Sequence, residues 1–402
     1  MIKLKETAGA LAPGERHAGL NSPTEFFMKM KYIKSFLFIA FALLLQVGCS
    51  SIIAKIDDTG VVIARRAQVR SSTAVVAADL VEVSRGDVVD ILDTSTVPET
   101  GERWLRVRAH DVENTEGWIE ARNVMPQDVL ERARQLAEED KPIPAQAAGQ
   151  LRASTNLRLT PDRSNNENIM MKLESGAVFD IVGWKRIPKP KSSETTESDD
   201  APKAGSAQQN NSRARRDADA PKVPEETNEL WYKVRLPPSV SPAPAGWIYG
   251  KQVELMVPSD IIFYRTGREF VAWRRLDEES TGNESATKDK DAAKDVKPGS
   301  WVILEKSSSN EPRKLDEPDF DRIYVLGYDK NRQEHYTAYR SPDIKGYLPL
   351  RVEGRGDNKT FTIRIQGDDG QIQDVQYKVY RDDKGILKVS APNEPPKGRR
   401  KK

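Results

Sequence analysis

Cysteine and histidine are scarce in this sequence of 402 residues. It contains one cysteine, Cys49, and three histidines, His17, His110 and His335. A single cysteine excludes an internal disulfide, and too few thiolate and imidazole groups remain for a zinc motif. No GxSxG, CxxC, HExxH or phosphate-binding glycine loop occurs in the chain. The sequence therefore indicates no enzyme active site, and it implies neither a metal nor a cofactor.

The chain also lacks an excess of either charge. Lys and Arg number 63, Asp and Glu number 61, and the formal net charge is +2. Nucleic-acid-binding proteins normally carry a clustered basic face, so we expect no nucleic-acid partner. Charged residues make up 31% and hydrophobic residues 37% of the chain. This balance is typical of small folded units joined by polar, disordered segments.

Long apolar runs are missing except near the N-terminus, where three lysines precede Phe36–Leu45 (FLFIAFALLL). This run is shorter than the roughly 20 residues of a membrane span, and a basic stretch followed by an apolar core is typical of an export signal. We therefore predict a signal peptide over residues 1–48. We place the translation start at Met28 or Met30, because the acidic residues and the proline before them do not suit a signal. An uncleaved signal anchor is the alternative, since Ser35–Ala54 is uncharged.

The apolar run ends in Leu45-Gln46-Val47-Gly48-Cys49. This segment resembles the lipobox of bacterial lipoproteins, although Gln46 stands where Leu is usual. The resemblance implies that Cys49 receives diacylglycerol and fatty acids such as palmitate, so that membrane lipid is a partner and residues 49–59 form a tether. Several acyl chains on one residue anchor a protein stably. Ser50 rather than Asp follows the cysteine, which by the same resemblance implies a periplasm-facing protein of the bacterial cell envelope, on the outer membrane of a diderm cell.

Two stretches of the chain, residues 60–126 and 151–258, share four landmarks in one order. The landmarks are an opening strand that ends in Arg, an apolar strand after a Gly turn, a strand that begins with Trp, and a Gly-Trp-Ile segment. The matched segments are 67–70 with 155–158, 83–92 with 173–182, 104–108 with 231–235, and 117–124 with 246–253. Four landmarks in one order indicate one module used twice.

The landmarks have the patterns of short strands. Trp104–Arg108 alternates apolar and polar residues, as a half-buried strand does. Frequent turns and the lack of a long amphipathic helix suit a small barrel. The ordered pattern resembles the bacterial SH3-like domain. That resemblance implies exported modules that bind cell-wall peptides or other proteins, so the expected partner is peptidoglycan or a periplasmic protein.

Aromatic residues are the candidate ligand contacts of the two modules. Trp104 and Trp231 occupy matching positions, whereas Tyr232 and Tyr249 replace a leucine and a glutamate of the first copy. Exposed aromatic side chains are typical anchors for peptides and sugars. We therefore predict ligand contacts at these four residues. We assign the tryptophan of each Gly-Trp-Ile segment to the core.

The remaining segments have distinct compositions. Asp128 and Glu131 form a capping-box pattern that predicts a short helix between the modules. Alternating apolar residues and Asp/Gly turns predict a separate antiparallel β domain near the C-terminus, with Ile261–Tyr264 as its first strand. The predicted segments are a helical connector (127–150), a disordered insert (188–228), a β-rich domain (259–391), a charged insert (277–299) and a basic disordered tail (392–402).

The sequence thus predicts an all-β protein with two small SH3-like β-barrels, a C-terminal antiparallel β-rich domain and disordered inserts. His110 and His335 are expected at the surface. Asp316–Asp321 is expected to be a solvated acidic loop, because it lacks the spaced oxygens of a calcium loop. The expected function is non-catalytic: an envelope lipoprotein that binds or scaffolds its partners. The alternative is an envelope-polymer hydrolase, whose C-terminal domain would need paired carboxylates.

Overall fold

The computed structural model of the chain describes residues 58–190, 227–265, 267–277, 298–308, 312–356 and 358–392. The predicted all-β class is confirmed: the described residues contain twenty-two strands and a single α-helix. No helix in these ranges has the length and apolar character that crossing a membrane requires. The predicted signal peptide, Cys49 and most of the tether, insert and tail residues lie outside the described residues.

Two seven-stranded antiparallel sheets account for the predicted repeat. Their strands occur in the same spatial order, β3-β2-β6-β5-β4-β1-β7 in the first module and β10-β9-β13-β12-β11-β8-β14 in the second. The first comprises β1 (Asp58–Val62), β2 (Arg66–Arg70), β3 (Asp79–Ser84), β4 (Val88–Thr96), β5 (Arg103–Ala109), β6 (Glu116–Glu120) and β7 (Val124–Pro126). The second comprises β8 (Ala147–Leu151), β9 (Thr155–Arg158), β10 (Ile169–Leu173), β11 (Val178–Pro188), β12 (Asn228–Arg235), β13 (Ala245–Tyr249) and β14 (Val253–Leu255).

The observed strands extend into segments that were predicted as tether, connector and insert. β1 begins inside the predicted tether, and β8 begins inside the predicted connector. β11 and β12 remain paired as far as Pro188 and Asn228, so both ends of the predicted insert belong to a hairpin. Residues 191–226 of that insert lie outside the described residues.

The glycine of each Gly-Trp-Ile segment allows two strands to approach closely. A Cβ at Gly117 would lie 2.6 Å from the carbonyl oxygen of Arg70, and one at Gly246 would lie 3.0 Å from that of Arg158. Only glycine fits such a backbone contact without a shift. Ile119 and Ile248, two residues further on, are fully buried. The landmark therefore marks the place where β6 and β13 lie against their sheet neighbours β2 and β9.

The connector helix α1 (Gln127–Glu139) joins the two modules and packs against both. Its buried Leu130 and Ala133 belong to one apolar core with Val61 of the first module and Leu157 of the second. The predicted capping box is wrong. Pro126 occupies the N-cap position without a side-chain hydrogen bond, because β7 runs directly into the helix. The connector is thus part of a shared core.

Two four-stranded antiparallel sheets form the C-terminal region, which is defined here as residues 268–390. Their strands are β15 (Arg268–Arg275), β16 (Trp301–Ser307), β17 (Arg322–Asp329), β18 (Glu334–Arg340), β19 (Gly346–Arg355), β20 (Asn358–Gln366), β21 (Ile372–Arg381) and β22 (Leu387–Ser390). Side chains of both sheets, including Val325, Leu350 and Phe361, share one core. The predicted charged insert lies between β15 and β16, and residues 278–297 of it lie outside the described residues.

One strand predicted for the β-rich domain (259–391) is wrong. Ile262–Tyr264 forms a 3₁₀ turn, with Ile261 N donating to Pro258 O at 3.1 Å and Tyr264 N donating to Ile261 O at 3.0 Å. Pro258 lacks an N–H and favours a turn, so local hydrogen bonds replace a sheet partner. Phe263 in this turn is 87% exposed.

Gln146 joins the C-terminal region to the second module. The side chain of Gln146 is fully buried. Its Nε2 donates to Leu350 O at 3.2 Å, and its Oε1 accepts from Leu350 N at 2.6 Å. Trp273 N also donates to the Gln146 carbonyl at 3.1 Å. Trp273 and Trp301 belong to the same apolar core as the second module.

Candidate functional site

The two predicted tryptophan contacts are core residues. Trp104 is 4% exposed and Trp231 is 0% exposed. Trp231 Nε1 donates to the buried Glu229 at 3.4 Å. The assignment of Trp118 and Trp247 to the core is also wrong, because both are half-buried. Gly117 and Ile119 take the inward positions of β6, so strand alternation turns the intervening tryptophan outward.

The two predicted tyrosine contacts have different surroundings. Tyr249 is half-buried, its ring lies 5.6 Å from that of Trp231, and the guanidinium of Arg163 lies 4.5 Å above it. Tyr232 is 9% exposed and packs edge-on against Trp184, with the ring centroids 6.3 Å apart. Successive residues of β12 point to opposite faces, so Tyr232 is separated from Trp231 and Tyr249. Of the four predicted residues, only Tyr232 reaches the cleft described next.

A cleft of about 160 Å³ lies between the β11–β12 hairpin of the second module and the C-terminal region. It combines aromatic, apolar and cationic side chains. The residues that line it are Trp184, Arg186, Leu230, Tyr232, Leu255, Arg265, Glu269, Phe270, Val271, Lys306, Arg313 and Asp319. Trp184 pairs across the hairpin with Tyr232, and Arg186 pairs with Leu230. These two cross-strand pairs place an aromatic pair beside a cation on one face of the hairpin.

A larger concavity of about 460 Å³ lies beside the first module. The described residues that line it are Glu102, Arg103, Glu120, Ala121 and Arg122. Arg122 pairs with Glu120, and no aromatic side chain is among these residues. Ligand sites are usually walled by apolar and aromatic side chains, so the cleft at the second module is the stronger candidate.

Asp319 fixes the back of the cleft. Its Oδ1 accepts from Trp184 Nε1 at 2.7 Å, and its Oδ2 accepts from Leu348 N at 2.9 Å. Burial raises the pKa of Asp319 above its usual value, although these hydrogen bonds and nearby arginines act in the opposite direction. The prediction of a solvated acidic loop is wrong at this residue, because Trp184 and Leu348 enclose its carboxylate.

Two of the cleft cations, Lys306 and Arg313, share the carboxylate of Glu317, and Arg313 also lies 4.0 Å from Glu269. Lys306 Nζ and Arg313 each lie 3.1 Å from Glu317 Oε1. Burial opposes the ionisation of Glu317, but the hydrogen bonds and charges of these two cations outweigh it and lower the pKa of Glu317. Lys306 also donates to Pro318 O at 2.6 Å. The three side chains therefore form a charged support behind the cleft.

Three polar groups of the cleft remain open for a ligand. Arg186, Arg265 and the hydroxyl of Tyr232 form no hydrogen bond or ion pair within the described ranges. Burial raises the pKa of Tyr232 to about 12, despite the opposing charge of Arg186, so this hydroxyl keeps its proton at neutral pH and can donate. With Glu317 included, four cationic side chains face three carboxylates in and behind the cleft, and this excess of positive charge favours an anionic group.

The two histidines differ in exposure. His110 lies at the surface as expected, with Nε2 3.0 Å from Asp90. The expectation for His335 is wrong, because its ring is buried between Tyr264 and Tyr328. His335 Nε2 lies 2.8 Å from Gly299 O, which can only accept a hydrogen bond. Within the described part of the chain, no group of three His, Cys, Asp or Glu side chains is placed to hold a metal ion.

No protein-family model matches this chain, and no curated protein matches it. Among solved structures, an NlpC/P60 family protein from Bacillus cereus ATCC 10987 aligns with 84% of this chain and 95% of its own, at 9% identity and a TM-score of 0.19. NlpC2 from Trichomonas vaginalis aligns with 85% and 95% at 9% identity and a TM-score of 0.15. NlpC1 from the same organism aligns with 86% and 91% at 9% identity and a TM-score of 0.14. These scores do not establish a common fold, so the cleft is interpreted from its own geometry.

Proposed function

We propose that this protein is a non-catalytic envelope lipoprotein that binds or scaffolds a cell-wall peptide or a periplasmic protein. The observation that carries the proposal is the cleft in which Arg186, Arg265 and the Tyr232 hydroxyl lack partners within the described ranges. A preformed concavity with apolar walls and a few open polar groups is the usual form of a binding site. Nothing in the binding step requires a proton transfer or a covalent intermediate.

The anchor proposed at Cys49 gives this binding a location. Its lipobox-like context supports acylation, and acylation would hold the cleft near the membrane surface. The tandem modules, which we propose to be SH3-like, keep cores of their own, and one apolar cluster joins Val61 and Met125 of the first module to α1, the second module and part of the C-terminal region. We therefore propose that the two modules act as one rigid body rather than as two independent binding units joined by a flexible linker.

The experiment is a pull-down with the full-length protein, solubilised in detergent from bacterial membranes. Isolated peptidoglycan and solubilised envelope proteins are offered separately, and retained material is measured by mass spectrometry. We expect specific retention of one of the two. Release of soluble wall fragments without retention would contradict the proposal and favour the hydrolase.

The control separates site-specific retention from adsorption. Trp184→Ala removes the aromatic wall of the cleft and the hydrogen bond to Asp319, whereas Trp118→Ala changes a half-buried tryptophan of the first module. We expect the first variant to lose retention and the second to keep it. Equal retention by both variants would mean that the ligand binds outside the cleft.

A further inference from the structure

Two arginines of the cleft form no side-chain hydrogen bond or ion pair within the described residues. Arg186 lies on β11, and Arg265 directly follows the 3₁₀ turn that precedes the C-terminal region. Asp319 does not compensate Arg186 directly, because its two oxygens accept from Trp184 and Leu348. A guanidinium presents a planar fork of N–H donors that matches a carboxylate. Both arginines line one small cavity and are available to an anion there.

An apolar wall adjoins this anion site. Leu230 is the cross-strand partner of Arg186, and Leu255 and Phe270 line the same cavity. The cavity of about 160 Å³ is smaller than the roughly 300–1,000 Å³ of sites for drug-sized ligands. It therefore suits a group the size of one amino-acid residue rather than a folded surface.

The ligand must bring a negative charge and an apolar body within one residue. An aspartate or glutamate side chain brings the charge without the apolar body, and so does a phosphate. The last residue of a peptide with an apolar side chain carries both on one carbon atom. Such a residue also offers backbone oxygen atoms to the donating hydroxyl of Tyr232.

We propose that the cleft captures the C-terminal residue of a peptide, with its α-carboxylate on Arg186 and Arg265 and its apolar side chain against Leu230. This inference rests on the proposed function and names its ligand class. Glu269, which also lines the cleft and lies 4.0 Å from Arg313, adds specificity, because it would repel a second carboxylate on the same residue. The site therefore selects an apolar C-terminus over an acidic one.

The test uses the full-length protein in detergent and three synthetic peptides. They are Gly-Gly-Ala-Leu with a free carboxylate, the same peptide as its C-terminal amide, and Gly-Gly-Ala-Asp as its C-terminal amide. Isothermal calorimetry measures each affinity. We expect the free acid to bind and both amides to bind at least about 10-fold more weakly, because a charge-assisted hydrogen bond is lost.

Arg186→Gln should weaken binding of the free acid about 10- to 100-fold. Arg132→Gln is the matched control, since Arg132 is an exposed residue of α1 and pairs with Asp128 at 3.0 Å. It should bind like the wild type. Thermal unfolding of both variants checks that the fold is intact, and Arg186→Gln should be tolerated because Arg186 has no partner to lose within the described chain.

Equal binding of acid and amide, binding of neither, or displacement of the peptide by millimolar inorganic phosphate would overturn this inference. The envelope pull-down with Arg186→Gln separates that failure from failure of the proposed function. If envelope components are retained by both wild type and Arg186→Gln, the protein is a binding protein that uses another surface. If the wild type retains nothing, the proposed function itself fails.

Discussion

Replacing Gln146 with alanine removes the side chain that joins the second module to the C-terminal region. In the wild type, its amide pairs with both the N–H and the C=O of Leu350 in a fully buried position. The alanine variant leaves both backbone groups without that partner. Each buried unsatisfied group costs about 1–3 kcal/mol, so we expect a loss of about 2–5 kcal/mol in the free energy of unfolding. The lower end applies if water enters the space.

Urea unfolding followed by tryptophan fluorescence measures this loss. Trp273 and Trp301 lie in the core shared by the two parts and report on their separation. A loss of this size lowers the urea concentration at the unfolding midpoint by about 1–2 M, if the m-value lies near the upper end of the usual range for urea. We also expect a two-step transition, because the C-terminal region loses its fixed contact before the second module unfolds.

Gln146→Glu adds a test of the mechanism. An ionised glutamate still accepts from Leu350 N but cannot donate to Leu350 O, and it buries a charge. Protonation restores the donor, so the stability of this variant relative to the wild type should recover as the pH falls. A Gln146→Ala variant within about 0.5 kcal/mol of the wild type, with one transition, would refute the role given to this residue.

Three further predictions concern the close contact at Gly117, the cleft and the lipid anchor. Gly117→Ala should lower the free energy of unfolding in urea by about 1–3 kcal/mol, because its Cβ would lie 2.6 Å from Arg70 O. Gly183→Ala is the control and should lower it little, since no atom lies within 4 Å of that Cβ. Equal losses in the two variants would contradict the close-contact argument. Burial raises the pKa of Asp319 above 3.8, so the folded chain holds this proton more tightly than the unfolded chain. This carboxyl therefore stabilises the fold at low pH, and that contribution is lost as the pH rises through the raised pKa. The unfolding free energy of wild type minus that of Asp319→Asn should thus decrease from about pH 4 upward, and a flat difference would refute it. Cys49→Ala should abolish labelling by an alkyne fatty acid and release the protein from membranes; unchanged labelling would place the lipid elsewhere.

Local patterns predicted much of the strand content. The Gly-Trp-Ile landmark recurs because β6 and β13 each need a residue without a Cβ where they contact β2 and β9. That requirement is visible in the sequence. The strands of the C-terminal region follow from alternation and Asp/Gly turns in the same way. Ile261–Tyr264 was misassigned because its apolar side chains suit a strand, whereas Pro258 and the local hydrogen bonds form a turn.

The sequence by itself determined the all-β class, the repeated module and the residues with strand periodicity, since these depend on neighbours within a few positions. Only the tertiary structure decided which aromatic side chains are buried and which residues form the cleft. The hydrogen bond from Trp184 to Asp319 spans 135 positions in the chain, and no local pattern pairs those two residues. A cleft is made by the packing of distant strands, and its charge balance depends on which cations that packing has already neutralised.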